Sequence, residues 1–244
     1  LLLLVLGWRE LSIQGYTAKL GHVSIKKLTN SFPKIWKYVW TTNLSGSVKM
    51  LVRRLDNIVV AAVLGTAAVG LYEIAKKFSG LANRLSSPFY QAVYPQLSKL
   101  WSRGERGVFA RLILQATGIA SLGALVIWCS FAVFGKPILA YTVGEDYVGA
   151  YEVLVWYVFA IGIEVACFSL TPAMLAMGYP RMQLVILTVT AIIYFGVLAA
   201  LLPTLGLPGA GVAYAVFYGT WAITMGVAET RIFRRDQATI DLPT

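Results

Sequence analysis

Two long apolar stretches carry ionisable side chains where lipid or protein interior is expected: Lys49, Arg53, Arg54 and Asp56, then Glu73, Lys76, Lys77 and Arg84. At ~100° per residue, Glu73, Lys76, Lys77, Gly80, Asn83, Arg84, Ser87, Gln91 and Tyr94 fall within one stripe about 120° wide. Ile74, Phe78, Leu81, Leu85 and Phe89 take the other side. Lys49, Arg53 and Asp56 share a face with Asn57 beside them, while Arg54 points elsewhere and is long enough to snorkel to an interface. Glu73 is spaced to pair with Lys76 and Lys77 at i+3 and i+4. That leaves Arg84 without a local acid. Pro88, four residues on, has no N–H for the Arg84 carbonyl and predicts a kink there. An unpaired cation on a polar stripe suits anion binding, and the stripe must face a cavity or a bundle interior. The candidate binding set is therefore Arg53, Asp56, Glu73, Lys76, Lys77, Arg84 and Gln91. The competing reading is that these charges only tie helices together through Asp56 and Glu73.

Glu164 is a lone carboxyl within a third apolar stretch, on a face shared with Tyr157, Ala160, Cys167 and Thr171. It is either a protonation site for ion coupling or a neutral acid hydrogen-bonded in a helix contact. Pro172 frees the Phe168 carbonyl nearby. Other site chemistry finds little material. His22 is the single histidine, so neither a His-based triad nor a histidine metal cluster can be assembled. No Walker loop or dinucleotide fingerprint occurs, and the glycine-rich run Gly206–Gly211 reads as a tight turn between spans. No cofactor and no metal site is expected.

The elements that must hold these residues follow from composition. Hydrophobic residues make up 58% of the 244 and charged residues 13%, with mean hydropathy +0.69. A soluble domain carries about 25% charged residues, so a soluble fold is excluded. The net charge of +10 would suit nucleic acid, but that needs a solvated basic surface which this chain lacks. Cys129 and Cys167 sit in apolar runs and read as small buried hydrophobes. Six apolar spans are expected, at about Ser45–Leu64, Val69–Leu97, Gly107–Phe134, Ala150–Met177, Arg181–Leu202 and Gly209–Ala228, with a polar interruption at Lys136–Tyr147. The opening run Leu1–Leu6 lacks the basic flank and cleavage site of a signal peptide and reads as the end of a helix that begins upstream. The fold class is thus all-α, a polytopic helix bundle. The expected divisions are 1–7 (helix end), 8–42 (connection), 43–230 (six-helix bundle) and 231–244 (tail).

Alternation through six spans puts Arg9, Lys19, Lys26, Lys27, Lys34, Lys37, Lys99, Arg103, Arg106, Arg111, Arg181, Arg231, Arg234 and Arg235 on one side and Lys136 alone on the other. By the positive-inside bias the first side, including the C-terminus, is cytoplasmic. Most of the positive charge therefore sets topology. Within the connection, Ile25, Leu28, Phe32, Ile35, Trp36 and Trp40 recur at helical spacing among lysines. It reads either as an amphipathic segment on anionic membrane lipid or as a solvated basic linker.

Several stretches together resemble a known family. Arg53-Arg54-Leu55-Asp56-Asn57, the junction Leu64-Gly65-Thr66-Ala67-Ala68-Val69-Gly70-Leu71-Tyr72-Glu73-Ile74-Ala75, and Tyr94-Pro95-Gln96-Leu97-Ser98 are similar to the polysaccharide-flippase branch of the MOP (multidrug/oligosaccharidyl-lipid/polysaccharide) superfamily. Ala176-Met177-Gly178-Tyr179-Pro180-Arg181 and Gly206-Leu207-Pro208-Gly209-Ala210-Gly211-Val212-Ala213 resemble its later helix break and last-helix entry. The resemblance implies a transporter of two six-helix bundles around a central cavity, this chain being the C-terminal one and the N-terminal bundle its partner. The implied substrate is a polyprenyl-pyrophosphate-linked oligosaccharide, moved from the cytoplasmic to the outer leaflet, with no catalytic activity. Two alternatives remain: an ion-coupled exporter of small amphiphiles or drugs that relies on Glu164, and a membrane enzyme of glycan assembly using Glu145 and Asp146.

Overall fold

The computed structural model describes residues 35–240, with side chains at 35, 37, 82–87 and 237–240 outside the described set. The expected helix end at 1–7, His22 and most of the 8–42 connection therefore lie outside the described residues, as does the side chain of Arg84. The described chain is helical, with no strand. Its order is α1 (Ile35–Leu64), α2 (Thr66–Ser102), α3 (Arg106–Thr142), a 3-10 turn (Glu145–Ala150), α4 (Tyr151–Ala166), α5 (Leu170–Ala176), α6 (Pro180–Leu205) and α7 (Leu207–Ile240). The compact unit that carries everything below begins at Leu44.

Among the described residues four segments are long and apolar enough to cross a membrane: Arg106–Thr142, Glu145–Ala176, Pro180–Leu205 and Leu207–Asp236. The chain is a multi-pass membrane protein. Helices α1 and α2, at 30 and 37 residues, have the length of spans but carry more charge, so four of the six expected spans meet both measures among the described residues. The outward faces agree with a lipid solvent. Ile119, Leu122, Val126 and Val133 of α3 and Ile192 of α6 are each more than half exposed, an apolar surface that water would not tolerate. Cys129 lies exposed on this helix, contrary to the expectation that it is buried. Its apolar neighbours reflect lipid contact and not core packing.

Helix α4 is the hub. It packs against α2, α3 and α7, and buries Val153, Leu154, Tyr157, Val158, Ala160 and Ile161. Its approach to α7 requires a glycine: a Cβ on Gly211 would stand 2.5 Å from the Trp156 Cβ and 3.3 Å from the Val153 carbonyl oxygen. The fourth span is one crossing in two pieces. It breaks between Ala166 and Leu170, where Pro172 has no N–H to return to the Phe168 carbonyl. Ser169, fully buried in the break, shares a 2.7 Å hydrogen bond with the Thr117 hydroxyl of α3, which anchors the interruption. Several expected boundaries move. α3 runs eight residues past Phe134, through Pro137, and places the Lys136 ammonium 5.2 Å from the Tyr151 ring centroid. α2 continues as one helix through Pro88 and Pro95.

Candidate functional site

Helices α1 and α2 meet at Gly65, whose φ of 84° only glycine adopts without strain, so the chain reverses within a single residue. The reversal sets Asp56 of α1 against Lys76 of α2. The Lys76 ammonium donates to both Asp56 carboxylate oxygens, at 2.9 and 3.1 Å, to the Asn57 amide oxygen at 2.8 Å and to the Arg53 carbonyl at 2.8 Å. Asp56 has no solvent exposure and accepts three further bonds. These come from the Tyr72 hydroxyl at 2.9 Å, the Tyr157 hydroxyl at 3.3 Å and the Asn57 backbone N–H at 2.7 Å. The Tyr72 and Tyr157 hydroxyls also touch each other, and because each carries one proton, two of these three tyrosine contacts are hydrogen bonds at any moment. A buried carboxylate this well supplied with donors stays paired, because removing the cation would leave its desolvation uncompensated.

Sequence spacing placed the acid differently. Glu73 was expected to pair with Lys76 and Lys77 along α2. Instead the Asn57 side-chain amide donates to Glu73, and Lys76 reaches across to Asp56. Lys76 takes the buried carboxylate because an ion pair is strongest where water is excluded.

Below this knot lies an aromatic column contributed by α4, α6 and α7. Tyr157 stacks on Tyr214 with centroids 4.5 Å apart, and Tyr194 and Tyr218 meet Tyr214 edge-on at 5.8 and 5.0 Å. The column leads to Trp221, and the Lys49 ammonium of α1 stands 5.7 Å from that ring. Lys49 also pairs with Glu164 at 3.4 Å, and Arg53 approaches the other Glu164 oxygen at 3.7 Å, with the Tyr218 phenol beside both. Glu164 is thus neither lone nor in a neutral helix contact: its two cations come from a helix more than a hundred residues away in sequence.

Above the knot opens a groove of about 890 Å³, lined by Gly46, Lys49, Met50, Arg53, Arg54, Lys76, Lys77, Gly80, Leu81 and Glu164. Five cations face one carboxylate. Arg54 and Lys77 make no ion pair among the described residues, so the groove presents free positive charge. The glycines at 46 and 80 leave its floor open, since no atom lies within 4 Å of a Cβ built on either. Such a surface accepts an anionic group with hydrogen-bonding oxygens, through charge-assisted bonds from ammonium and guanidinium donors.

Of the expected binding set, Arg53, Lys76 and Lys77 line this groove. Asp56 lies beneath it, at zero exposure, and acts through Lys76. Glu73 is engaged with Asn57, Gln91 is exposed further along α2 outside the groove, and the Arg84 side chain is outside the described residues. Lys49 and Arg54 line the groove although they stood outside the expected set. So does Glu164, expected only as an ion-coupling residue. The tyrosines from α4, α6 and α7 carried no signal in the sequence, because aromatic residues in apolar spans are ordinary core. Glu229 was also missed. It is nearly buried in α7, with one carboxylate oxygen unpartnered, against an apolar cleft of about 260 Å³ between α3 and α7. The last span was expected to end one residue earlier.

A family model described as polysaccharide biosynthesis protein matches residues 17–152. The inner membrane protein YghQ of Escherichia coli (strain K12) is 32% identical over 123 residues, which cover 49% of this chain and 33% of YghQ. The match thus spans about a third of that relative's length. No solved structure matches.

Proposed function

This chain belongs to the polysaccharide biosynthesis protein family, and from that premise we propose that it forms half of a flippase for polyprenyl-pyrophosphate-linked oligosaccharide. The carrying observation is the groove: five cations around one carboxylate, on helices long enough to cross the bilayer, where a lipid-facing charge would cost ~2.5–3.5 kcal/mol. Helices α1 and α2 on this reading complete a six-span bundle, with their charged faces turned toward a second bundle supplied by the rest of the protein. Lys77 and Arg54, free of ion pairs among the described residues, offset the pyrophosphate charge. Polar groups further along the α2 stripe, Gln91 among them, meet sugar hydroxyls. Asp56 and Glu73 hold the cationic residues in place. The basic residues between and after the spans support a cytoplasmic C-terminus in a bacterial or archaeal cell membrane, and on this reading the groove works by binding and not by catalysis.

An ion-coupled exporter of small amphiphiles has less support, because Glu164 stands between two cations, Lys49 and Arg53, and belongs to the same groove. Replacing Lys77 and Arg54 by alanine in the full-length protein tests the reading. Surface glycan should fall by at least tenfold while lipid-linked intermediate accumulates on the cytoplasmic leaflet at unchanged protein abundance. Undiminished export at normal abundance would remove the groove from the transport path.

A further inference from the structure

A second basic niche lies toward the C-terminal end of α2, about twenty residues along from the groove. It occupies about 330 Å³ between the end of α2 and the start of α3, and presents Lys99, Arg103 and Arg111 with the amides of Gln96 and Gln115. No acid lines it. Glu105 reaches Arg103 only at 3.9 Å with both partners about half exposed, a contact worth little. The niche draws on two helices, so its charge is concave and concentrated, unlike that of a single basic helix face.

What the niche adjoins is equally specific. At ~100° per residue, Val108, Arg111, Gln115, Ile119, Leu122, Val126 and Val133 lie along one face of α3. The first three line the niche, and the last four continue the strip as exposed apolar side chains. From Gln115 to Val133 the strip runs ~27 Å at 1.5 Å per residue, about the depth of a hydrocarbon core. Cations and amides at one end, followed by bare apolar surface, match a phosphate headgroup followed by an acyl chain. Basic pockets between helices on the positively charged side of a membrane protein recognise anionic lipid in this way.

We propose that the niche of Lys99, Arg103 and Arg111 binds the phosphodiester headgroup of an anionic phospholipid, whose acyl chain lies along Ile119, Leu122 and Val126 of α3. The site is separate from the groove and does not rest on the transport reading. The amides of Gln96 and Gln115, one step toward the apolar strip, are placed to donate to the ester oxygens beneath the phosphate. Each neutralised cation should weaken retention by about fivefold, the equivalent of ~1 kcal/mol per basic side chain at an anionic surface.

The test uses the full-length protein in nanodiscs of mixed phosphatidylglycerol and phosphatidylcholine, with retained lipid counted by native mass spectrometry. Wild type should retain phosphatidylglycerol preferentially, and Lys99→Gln with Arg111→Gln should lower that preference more than tenfold. Arg181→Gln with Arg231→Gln, which removes as much charge from the same side elsewhere, should lower it by less than twofold. Equal losses in the two pairs would reduce the effect to diffuse surface attraction and overturn the proposal. Displacement of the lipid by millimolar inorganic phosphate would likewise overturn it, since the niche would then be reading free phosphate. A photoactivatable phosphatidylglycerol on the unmodified protein gives a result independent of any variant's folding. Its crosslinks should fall within 108–133, and crosslinks confined to other segments would refute the site. So would a strip sealed by protein and yielding none.

Discussion

Replacing Lys76 by methionine removes the cation but keeps the length of the side chain. Asp56 would keep the Tyr72 and Tyr157 hydroxyls and the Asn57 N–H as donors, yet its charge would sit at zero exposure with no counter-ion. Breaking a buried pair from one side costs ~3–5 kcal/mol. Lys76 retains 15% exposure, so water can partly replace it and the lower end of that range applies. For a chain of this size ~3 kcal/mol lowers the melting temperature by roughly 6–12 °C. The companion change Asp56→Asn removes the charge that makes the loss expensive. The double variant should therefore regain about half of the lost stability, a coupling of ~1.5 kcal/mol or more. Thermal unfolding of the full-length protein in detergent, across wild type, both single variants and the double variant, measures this. A Lys76→Met shift under about 2 °C, or a double variant that loses the sum of the two singles, would refute a buried, coupled ion pair.

Four further outcomes follow from the packing. Gly211→Leu should cost ~1–3 kcal/mol in the same assay, because its Cβ alone would stand 2.5 Å from Trp156 and no rotamer relieves that. Glu229→Gln should leave the melting temperature unchanged or raise it, since an unpartnered acid against an apolar cleft gains nothing from its charge, and a fall of several degrees would show a partner that this structure lacks. Arg106→Ala should loosen the end of α7, seen as faster amide exchange over 226–236. Arg106 bonds Asp236 at 2.7 Å and the Trp101 carbonyl at 2.6 Å and stacks 3.4 Å over the Trp101 ring, and unchanged exchange would deny it that role. Glu164→Gln should change stability by less than ~1 kcal/mol, because its two cations are 34% and 47% exposed and water takes over, and a larger drop would mean the pair is buried in the assembled protein.

Periodicity and composition carried the fold class and the existence of every long helix, because the apolar side chains of a membrane helix leave a signal that survives without knowledge of its neighbours. Boundaries were less secure where two tendencies compete at one residue: α3 runs past Lys136 and Pro137 because the lysine packs on Tyr151 of the next span, which lies outside any local window. The groove was legible as a set of cations on two helix faces, and its membership was not. Lys76 has an acid three residues away and takes one twenty residues away, and Glu164 has no acid or base nearby in sequence and meets Lys49 and Arg53. Helical spacing reports which side chains share a face. It does not report how far one helix slides or rotates against another, and at ion-pair range one turn of slide, 5.4 Å, exchanges every partner. That register is set by the close approach of α4 to α7 at Gly211, the reversal at Gly65 and the stacking of Tyr157 on Tyr214. Pairing of charge is therefore a property of the packed bundle, while the supply of charge was already written along the chain.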